Sequence, residues 1–332
     1  MNKINSCELE HLTHRALRTG ETLPRRIYHI GCSGGKDSTA LLLWMIHESG
    51  IPRNQMIATF CDTQNEARET YDHLALLSAK VFPIQWIETD GFASIVMRKK
   101  IFPTKHRRFC TKELKLIPTM RFIDDLCDWR CKSEDPEEID KPENWYMANE
   151  VIPVSGVRRD ESEDRKNLPE WGAPEDSFFG LAEWRPLIDW KIEDVLTIHA
   201  KYGIPLNPLY SQGARRVGCF PCIHSNKSEI RAMIKHSPER IDQIREFELS
   251  IDNPNGYSSF FARNKVPARF RTQVYKTASG KEVKVCSIDD VVAWAKSGWR
   301  AKGNAPDIGG LYQFELDKMP PKLCLSQYQA CE

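Results

Sequence analysis

The 332-residue chain has no run approaching the ~20 consecutive apolar residues that a membrane-spanning helix needs. It has no internal repeat and no low-complexity tract, which excludes solenoid, collagen-like and coiled-coil architectures. Charge of one sign is also missing: 47 Lys and Arg stand against 46 Asp and Glu, so the chain as a whole does not read as a polyanion binder. The opening segment MNKINSCELEHLTHR lacks the apolar core of a secretory signal, and the expected compartment is the reducing cytoplasm. No H-E-x-x-H and no Ser/His/Asp signature is present. What remains is an ordinary globular composition, with a length that suggests about two domains of ~150 residues each.

The first 100 residues alternate strand and helix signals. Arg26 to Cys32 (RIYHIGC) is a short apolar strand that ends at Ser33-Gly34-Gly35. Lys36 to Ser49 has helical length and stops at Gly50-Ile51-Pro52. Met56 to Cys61 reads as a strand, Asn65 to Lys80 as a helix, and Phe82 to Ile87 as a third strand. Strands separated by helices of this length predict an α/β fold with a parallel, doubly wound sheet. The pattern breaks from Arg121, and Lys132 to Glu143 (KSEDPEEIDKPE) reads as a solvated acidic insertion. Val151 to Val157 resumes as a strand. Beyond Ser225 the alternation is gone. We therefore expect a nucleotide-binding sheet domain over 1–225 and a smaller, Cys-containing C-terminal module over 226–332.

Ser33-Gly34-Gly35-Lys36-Asp37-Ser38 lies between a strand and a helix. Two glycines let backbone approach phosphate closely, and free N–H groups at a helix start cradle negative charge. Lys36 adds a mobile cation, and Ser33 and Ser38 add hydroxyls. The spacing is not the G-x-x-x-x-G-K-[ST] of a P-loop kinase or GTPase. Arg158, Arg159 and Arg165 place three guanidinium groups on one later segment, a geometry suited to phosphate or sulfate oxygens. The plain alternative for them is a solvated turn paired to Asp160, Glu161 and Asp164. Asp62 follows a strand, at the rim where doubly wound folds bind ligands. Asp37 or Asp62 could hold Mg²⁺, and an N-cap role serves Asp62 almost as well.

SGGKDS resembles the signature of the PP-loop ATP pyrophosphatases, the adenine-nucleotide alpha-hydrolase superfamily, whose fold is Rossmann-like. Within it, the chain resembles the phosphoadenosine phosphosulfate (PAPS) reductase family. Cys61 to Glu66 resembles the acidic D-T-x-x-E element, and Gly156 to Ser162 with Arg165 resembles the G-x-R-R-x-x-S-x-x-R loop. Trp184 to Trp190 with Asp194-Val195, Asn207-Pro208-Leu209-Tyr210 and Gly218 to Cys222 continue the series. The resemblance covers about residues 25–225. It implies nucleotide binding by Ser33, Gly34, Gly35, Lys36, Asp37, Ser38, Gly156 and Arg158. It implies catalytic parts for Lys36, Asp37 and Asp62, and substrate contacts for Arg158, Arg159, Arg165 and Lys115. Two activities are open. One splits the α–β bond of ATP, with Mg²⁺, to adenylate an acceptor in a sulfur transfer, the acceptor being nucleic acid and the sulfur arriving from a donor protein. The other reduces PAPS or adenylyl-sulfate. A non-catalytic nucleotide-sensing subunit is a third possibility, and no oligomeric state follows. Lys36, and the lack of the E-C-G-x-H segment that carries the reductase nucleophile, favour ATP.

Eleven cysteines in a chain expected in the cytoplasm point to metal or redox chemistry. Cys7, Cys32, Cys61 and Cys286 read as small buried hydrophobes, and Cys127 and Cys131 as bystanders. Cys219-Phe220-Pro221-Cys222 is a C-x-x-C. The segment around Cys110 resembles the C-C-x-x-x-K-x-x-P element of the iron–sulfur reductases of adenylyl-sulfate, with Thr111 in place of the second Cys. Three ligands result where four are needed, and Cys324 and Cys331 are candidates for the vacancy. Either Cys110, Cys219 and Cys222 join one terminal Cys, or Cys219 and Cys222 join both, around a [4Fe–4S] cluster or Zn²⁺. His224 is an alternative fourth ligand. Arg263 to Lys284, with seven Lys and Arg against one Glu and with Phe270 and Tyr275 interleaved, could grip a nucleic-acid backbone or be a solvated face.

Overall fold

The computed structural model describes residues 26–133, 150–253, 257–276, 280, 282–297 and 311–312. Strands β1 (Arg26–Gly31), β2 (Met56–Asp62), β3 (Ile84–Glu88), β4 (Glu150–Val154), β5 (Trp171–Gly172) and β6 (Glu183–Trp184) form one sheet in the order β3-β2-β1-β4-β6-β5. All pairings are parallel except β5 with β6. The expected doubly wound sheet is present, and its antiparallel edge is an addition to it. β1 and β2 are buried on both faces, which is why they read as near-continuous apolar runs. His29 sits inside that pair, with Nε2 2.8 Å from Thr59 Oγ1, and burial pushes its pKa down to about 4.

Helix α1 (Lys36–His47) follows β1, and α2 (Arg68–Lys80) follows β2. Leu41, Leu42, Leu43 and Met45 of α1 are fully buried against Ile30, Leu74, Leu187, Val195 and Ile198 in the main core. Helix α3 (Phe92–Lys99) comes after β3. A one-turn helix Phe109–Thr111, a π-helical turn Lys112–Leu116 and α4 (Ile117–Ser133) then run on without a break. Pro118 lacks the N–H that the Leu114 carbonyl would take in an α-helix, which accounts for a wider turn at this point. The break expected from Arg121 is therefore not found: the helix continues to Ser133, because Phe122 and Ile123 bury against Ile27, Ile57 and Val151. The acidic insertion lies mostly outside the described residues.

Beyond α5 (Ile192–Lys201), helices α6 (Lys227–His236), α7 (Glu239–Ser250) and α8 (Ile288–Lys296) build a second core with Phe260, Phe261 and Val266. Phe92, Ile95, Val96, Phe102 and Leu114 contribute to it from the other side of residue 225. A two-stranded ribbon, β7 (Val274–Lys276) with β8 (Glu282–Lys284), flanks it. No helix among the described residues is long and apolar enough to cross a membrane.

Glu248 pins this second core. Its carboxylate accepts from the Phe260 N–H (2.8 Å), the Ile288 N–H (2.9 Å) and the Tyr257 hydroxyl (3.1 Å). Burial outweighs these donors and pushes its pKa up to about 6 from 4.5. An acid whose folded pKa is raised contributes stability that is present below its unfolded pKa and lost as pH rises through the folded one. Wild type should therefore lose stability relative to Glu248→Gln between about pH 4 and pH 7, by on the order of 2 kcal/mol. Urea unfolding of both proteins at the two pH values reads this out; a difference independent of pH would refute it.

Candidate functional site

β1 lies between β2 and β4, and the chain leaves it toward opposite sides of the sheet. The carboxyl ends of β1 and β4 thus form the topological switch point, where open α/β sheets leave a crevice for ligands. SGGKDS caps β1 there, and Ser155-Gly156-Val157-Arg158 caps β4.

The phosphate loop is built from its own side chains. The Ser33 N–H donates to Ser38 Oγ at 3.2 Å, and Ser38 Oγ–H donates to the Gly35 carbonyl at 3.1 Å. Gly34 has φ +69°, a conformation that favours glycine, and a Cβ there would stand 3.1 Å from Thr70 Cγ2. The Lys36 N–H donates to the Tyr210 hydroxyl (3.0 Å), and Asn207 Nδ2 donates to the Gly34 carbonyl (3.2 Å) and to Thr70 Oγ1 (3.3 Å). His199 Nε2 lies 2.9 Å from the Lys36 carbonyl, and Nδ1 3.2 Å from that of Ile204. Burial lowers the His199 pKa against the pull of those two carbonyls, and burial raises that of Tyr210.

The two loops meet at Asp37. Lys36 Nζ donates to Asp37 Oδ2 at 2.6 Å, and Arg158 Nε donates to Oδ1 at 2.8 Å. Arg158 is 3% exposed and also donates to the Trp190 carbonyl. A Cβ on Gly156 would lie 2.7 Å from the Asp37 carbonyl oxygen, so only glycine permits this approach without a shift of backbone. Ser33, Gly34, Gly35, Lys36, Asp37, Ser38, Gly156 and Arg158 are thereby brought to one place.

The other expected groups are placed differently. Arg159 pairs with Asp189 and donates to the Leu168 carbonyl, while Arg165 pairs with Glu161. Both guanidinium groups are engaged in half-exposed ion pairs, Arg165 with an acid of its own turn and Arg159 with one from another segment. Asp62 accepts from the Gln64 N–H and the Tyr71 hydroxyl, each at 2.8 Å, and the N-cap of α2 is Ala67. An N-cap role for Asp62 is therefore replaced by an Asx turn that fixes Gln64.

A cavity of about 190 Å³ is lined by Cys110, Cys219, Cys222, Lys115, Thr63 and His224, among others. Its walls reach the phosphate loop: the Val217 carbonyl stands 3.6 Å from where a Gly35 Cβ would be. An antiparallel bridge between Glu66 and Cys219, and the Phe220 N–H donating to the Asn65 carbonyl (2.6 Å), hold the C-x-x-C against the end of β2. The π-helical turn turns Lys115 inward. Burial opposes charge on Lys115, yet Cys219, Glu66, Cys222 and Cys61 hold its pKa above the ordinary lysine value. Burial pushes the thiols of Cys110 and Cys219 up, and Lys115 pulls both back. Burial lowers the His224 pKa, and the surrounding Arg108, Arg216, Lys265 and Lys105 add to it.

Three thiols thus face one cavity, which suits a soft metal in donor chemistry but supplies three of the four thiolates such a centre takes. Among the described residues no group of three or more His, Cys, Asp or Glu is close enough to hold a metal ion. Cys324 and Cys331 lie outside the described residues, as does Cys7, and nothing is described of the Cys127 and Cys131 side chains. Cys32 and Cys286 are buried, as the small-hydrophobe reading expects, and Cys61 is half-buried against Thr119. Within the basic C-terminal stretch Arg271 donates back to the Val266 carbonyl, Lys276 lies 3.7 Å from Glu282, and the Lys265 ammonium stands over the Phe261 ring.

Comparison with known proteins adds the following. The model of the phosphoadenosine phosphosulfate reductase domain matches residues 28–225. An "uncharacterized 37.8 kDa protein" of Escherichia phage 186 is 30% identical over 277 residues, covering 74% of this chain and 82% of that one. An adenosine 5'-phosphosulfate reductase of Rhizobium meliloti is 29% identical over 195 residues, covering 56% and 60%. Among solved structures, the phosphoadenylyl-sulfate reductase of Candida auris aligns at TM-score 0.41 with 16% identity, over 64% of this chain and 88% of that one.

Proposed function

Because the chain belongs to the phosphoadenosine phosphosulfate reductase family, we propose that it binds an adenine nucleotide at the switch point and cleaves ATP between the α and β phosphates. An acceptor oxygen would attack the α-phosphorus, and pyrophosphate would leave. The carrying observation is the Lys36–Asp37–Arg158 ion triad at the N-terminus of α1. The Lys36 ammonium, paired with Asp37, stands beside helix-start N–H groups of the kind that can receive phosphate, which supports this reading. Asp37, held by Arg158, would set the Lys36 position, and Mg²⁺ on Asp37 would add charge neutralisation when bound. A sulfur nucleophile brought by a donor would then displace AMP from the acceptor so activated.

A second reading has its own observation. Three thiols face a cavity that adjoins the phosphate loop, and several relatives are named adenosine 5'-phosphosulfate reductase. An adenylyl-sulfate there would present sulfur rather than a β-phosphate to the thiols. One assay separates the two. With water standing in for the acceptor oxygen, protein incubated with ATP and Mg²⁺ should release pyrophosphate and AMP, and with adenylyl-sulfate or PAPS plus dithiol it should release no sulfite. Sulfite without pyrophosphate would overturn the first reading in favour of the second.

A further inference from the structure

The mouth of the thiol cavity carries a set of cations that the nucleotide site does not use. Arg108 and Arg216 line the cavity, Lys105 and Lys265 act on His224 inside it, and Arg107 and Arg215 stand exposed beside them in sequence. They come from three separate segments of the chain, so the fold, not a local charge run, assembles them. Among the described residues none of the six forms an ion pair with a carboxylate: Arg108 donates to Thr111 Oγ1 and Arg216 to Cys222 Sγ. Some cations elsewhere are paired with carboxylates, as Arg98 is with Asp90 and Glu113, and Arg245 with Asp242 and Asp289. The one acid among the lining residues, Glu229, is occupied by the N–H groups of Asn226 (2.8 Å) and Arg215 (3.4 Å).

We infer that this collar is a docking surface for a single-stranded nucleic acid, which brings the acceptor to the nucleotide site. The inference rests on the adenylation reading for its purpose, but the surface is argued from the charges alone. Two arginines on the cavity wall, with two lysines close enough to act on His224 and an exposed arginine next in sequence to each wall arginine, exceed what a single phosphate or sulfate needs and fit a repeating one. Four are arginines, whose planar guanidinium groups both grip phosphate and stack on bases.

The test is binding of fluorescent single-stranded oligonucleotides, RNA and DNA in parallel, to the full chain without ATP, over a salt series. Wild type should bind one or both with an affinity that falls steeply with salt. Arg108→Glu with Arg216→Glu should weaken binding at least tenfold and flatten the slope of log affinity against log salt by about 1.4, at about 0.7 per lost phosphate contact. Lys80→Glu, at the far end of α2, should leave both unchanged. Bound oligonucleotide should also slow alkylation of Cys222, read by peptide mass spectrometry. The proposal falls if neither strand binds at low salt, if Lys80→Glu weakens binding as much, or if poly-glutamate binds as tightly as the oligonucleotides. Because no nucleotide turnover is read, its failure leaves pyrophosphate release untouched, and failure of pyrophosphate release leaves this result standing.

Discussion

Replacing Lys36 by alanine should lower pyrophosphate release from ATP by about 10²–10³ while leaving the fold intact. Its ammonium contacts only Asp37 in the ion triad and lies 5.7 Å from the Tyr210 ring centroid, so its removal opens no large core void. Neutralising charge that develops on a transferring phosphate is worth a few kcal/mol per group, which sets that magnitude. Asp37→Ala should abolish turnover too, but it should not leave stability alone. Arg158 would lose the carboxylate at its Nε and keep only the longer 3.6 Å pair with Asp160, and breaking a buried pair costs up to about 3–5 kcal/mol when both partners are buried. Asp37 is partly exposed, so the low end applies. Asp37→Asn, which keeps an acceptor for Arg158 Nε, should recover most of the stability and little of the activity. Turnover by Lys36→Ala at the wild-type rate, with an unchanged melting temperature, would remove the loop from the reaction.

The loop was legible because its chemistry is local. Two glycines, a lysine and two hydroxyls within six residues, between an apolar strand and a helix, admit few other uses. Arg158 was legible as a cation but not as a buried one: nothing in its segment distinguishes it from Arg159 and Arg165, which fold back into ion pairs. The difference is tertiary, since Asp37 comes from 121 residues away. Asn207 and Tyr210 stand in a sequence element that resembles a family motif, yet their work, holding the Gly34 carbonyl and the Lys36 N–H, appears only when the chain closes. His199 carries no signal at all, being one apolar-face position of an amphipathic helix. The helix through Cys110 was hidden by Pro118, which ordinarily ends a helix and here widens one turn. The cation collar was missed for a related reason. The sequence concentrates basic residues at 263–284, whereas the fold takes one lysine from there and gathers the rest from 105–108 and 215–216.

Substituting Cys110 should decide whether Cys110, Cys219 and Cys222, which share one cavity but do not stand close enough together to hold an ion in this structure, close on a metal with a fourth ligand; the expected result is complete loss of metal. Cys110, Cys219 and Cys222 share one cavity, which favours the arrangement that includes Cys110. A thiolate set next to Lys115 also places a positive charge where the net charge of a thiolate-rich centre needs compensation. The fourth ligand would be Cys324 or Cys331. Protein prepared without oxygen should carry iron or zinc, brown if the centre is iron–sulfur and colourless if it is zinc. Cys110→Ser, Cys219→Ser and Cys222→Ser should each lose it, and truncation after Pro321 should lose it together with much of the thermal stability, since ligation and folding are coupled. Cys61→Ser should keep it, because that thiol is turned toward Thr119 and the Lys115 carbonyl. Metal retained by Cys110→Ser would move the centre to the two split pairs. Neither iron nor zinc in fresh wild-type protein would end the metal assignment and leave Cys219 and Cys222 as a dithiol beside the nucleotide, the arrangement that a reductase rather than an adenylating enzyme would use.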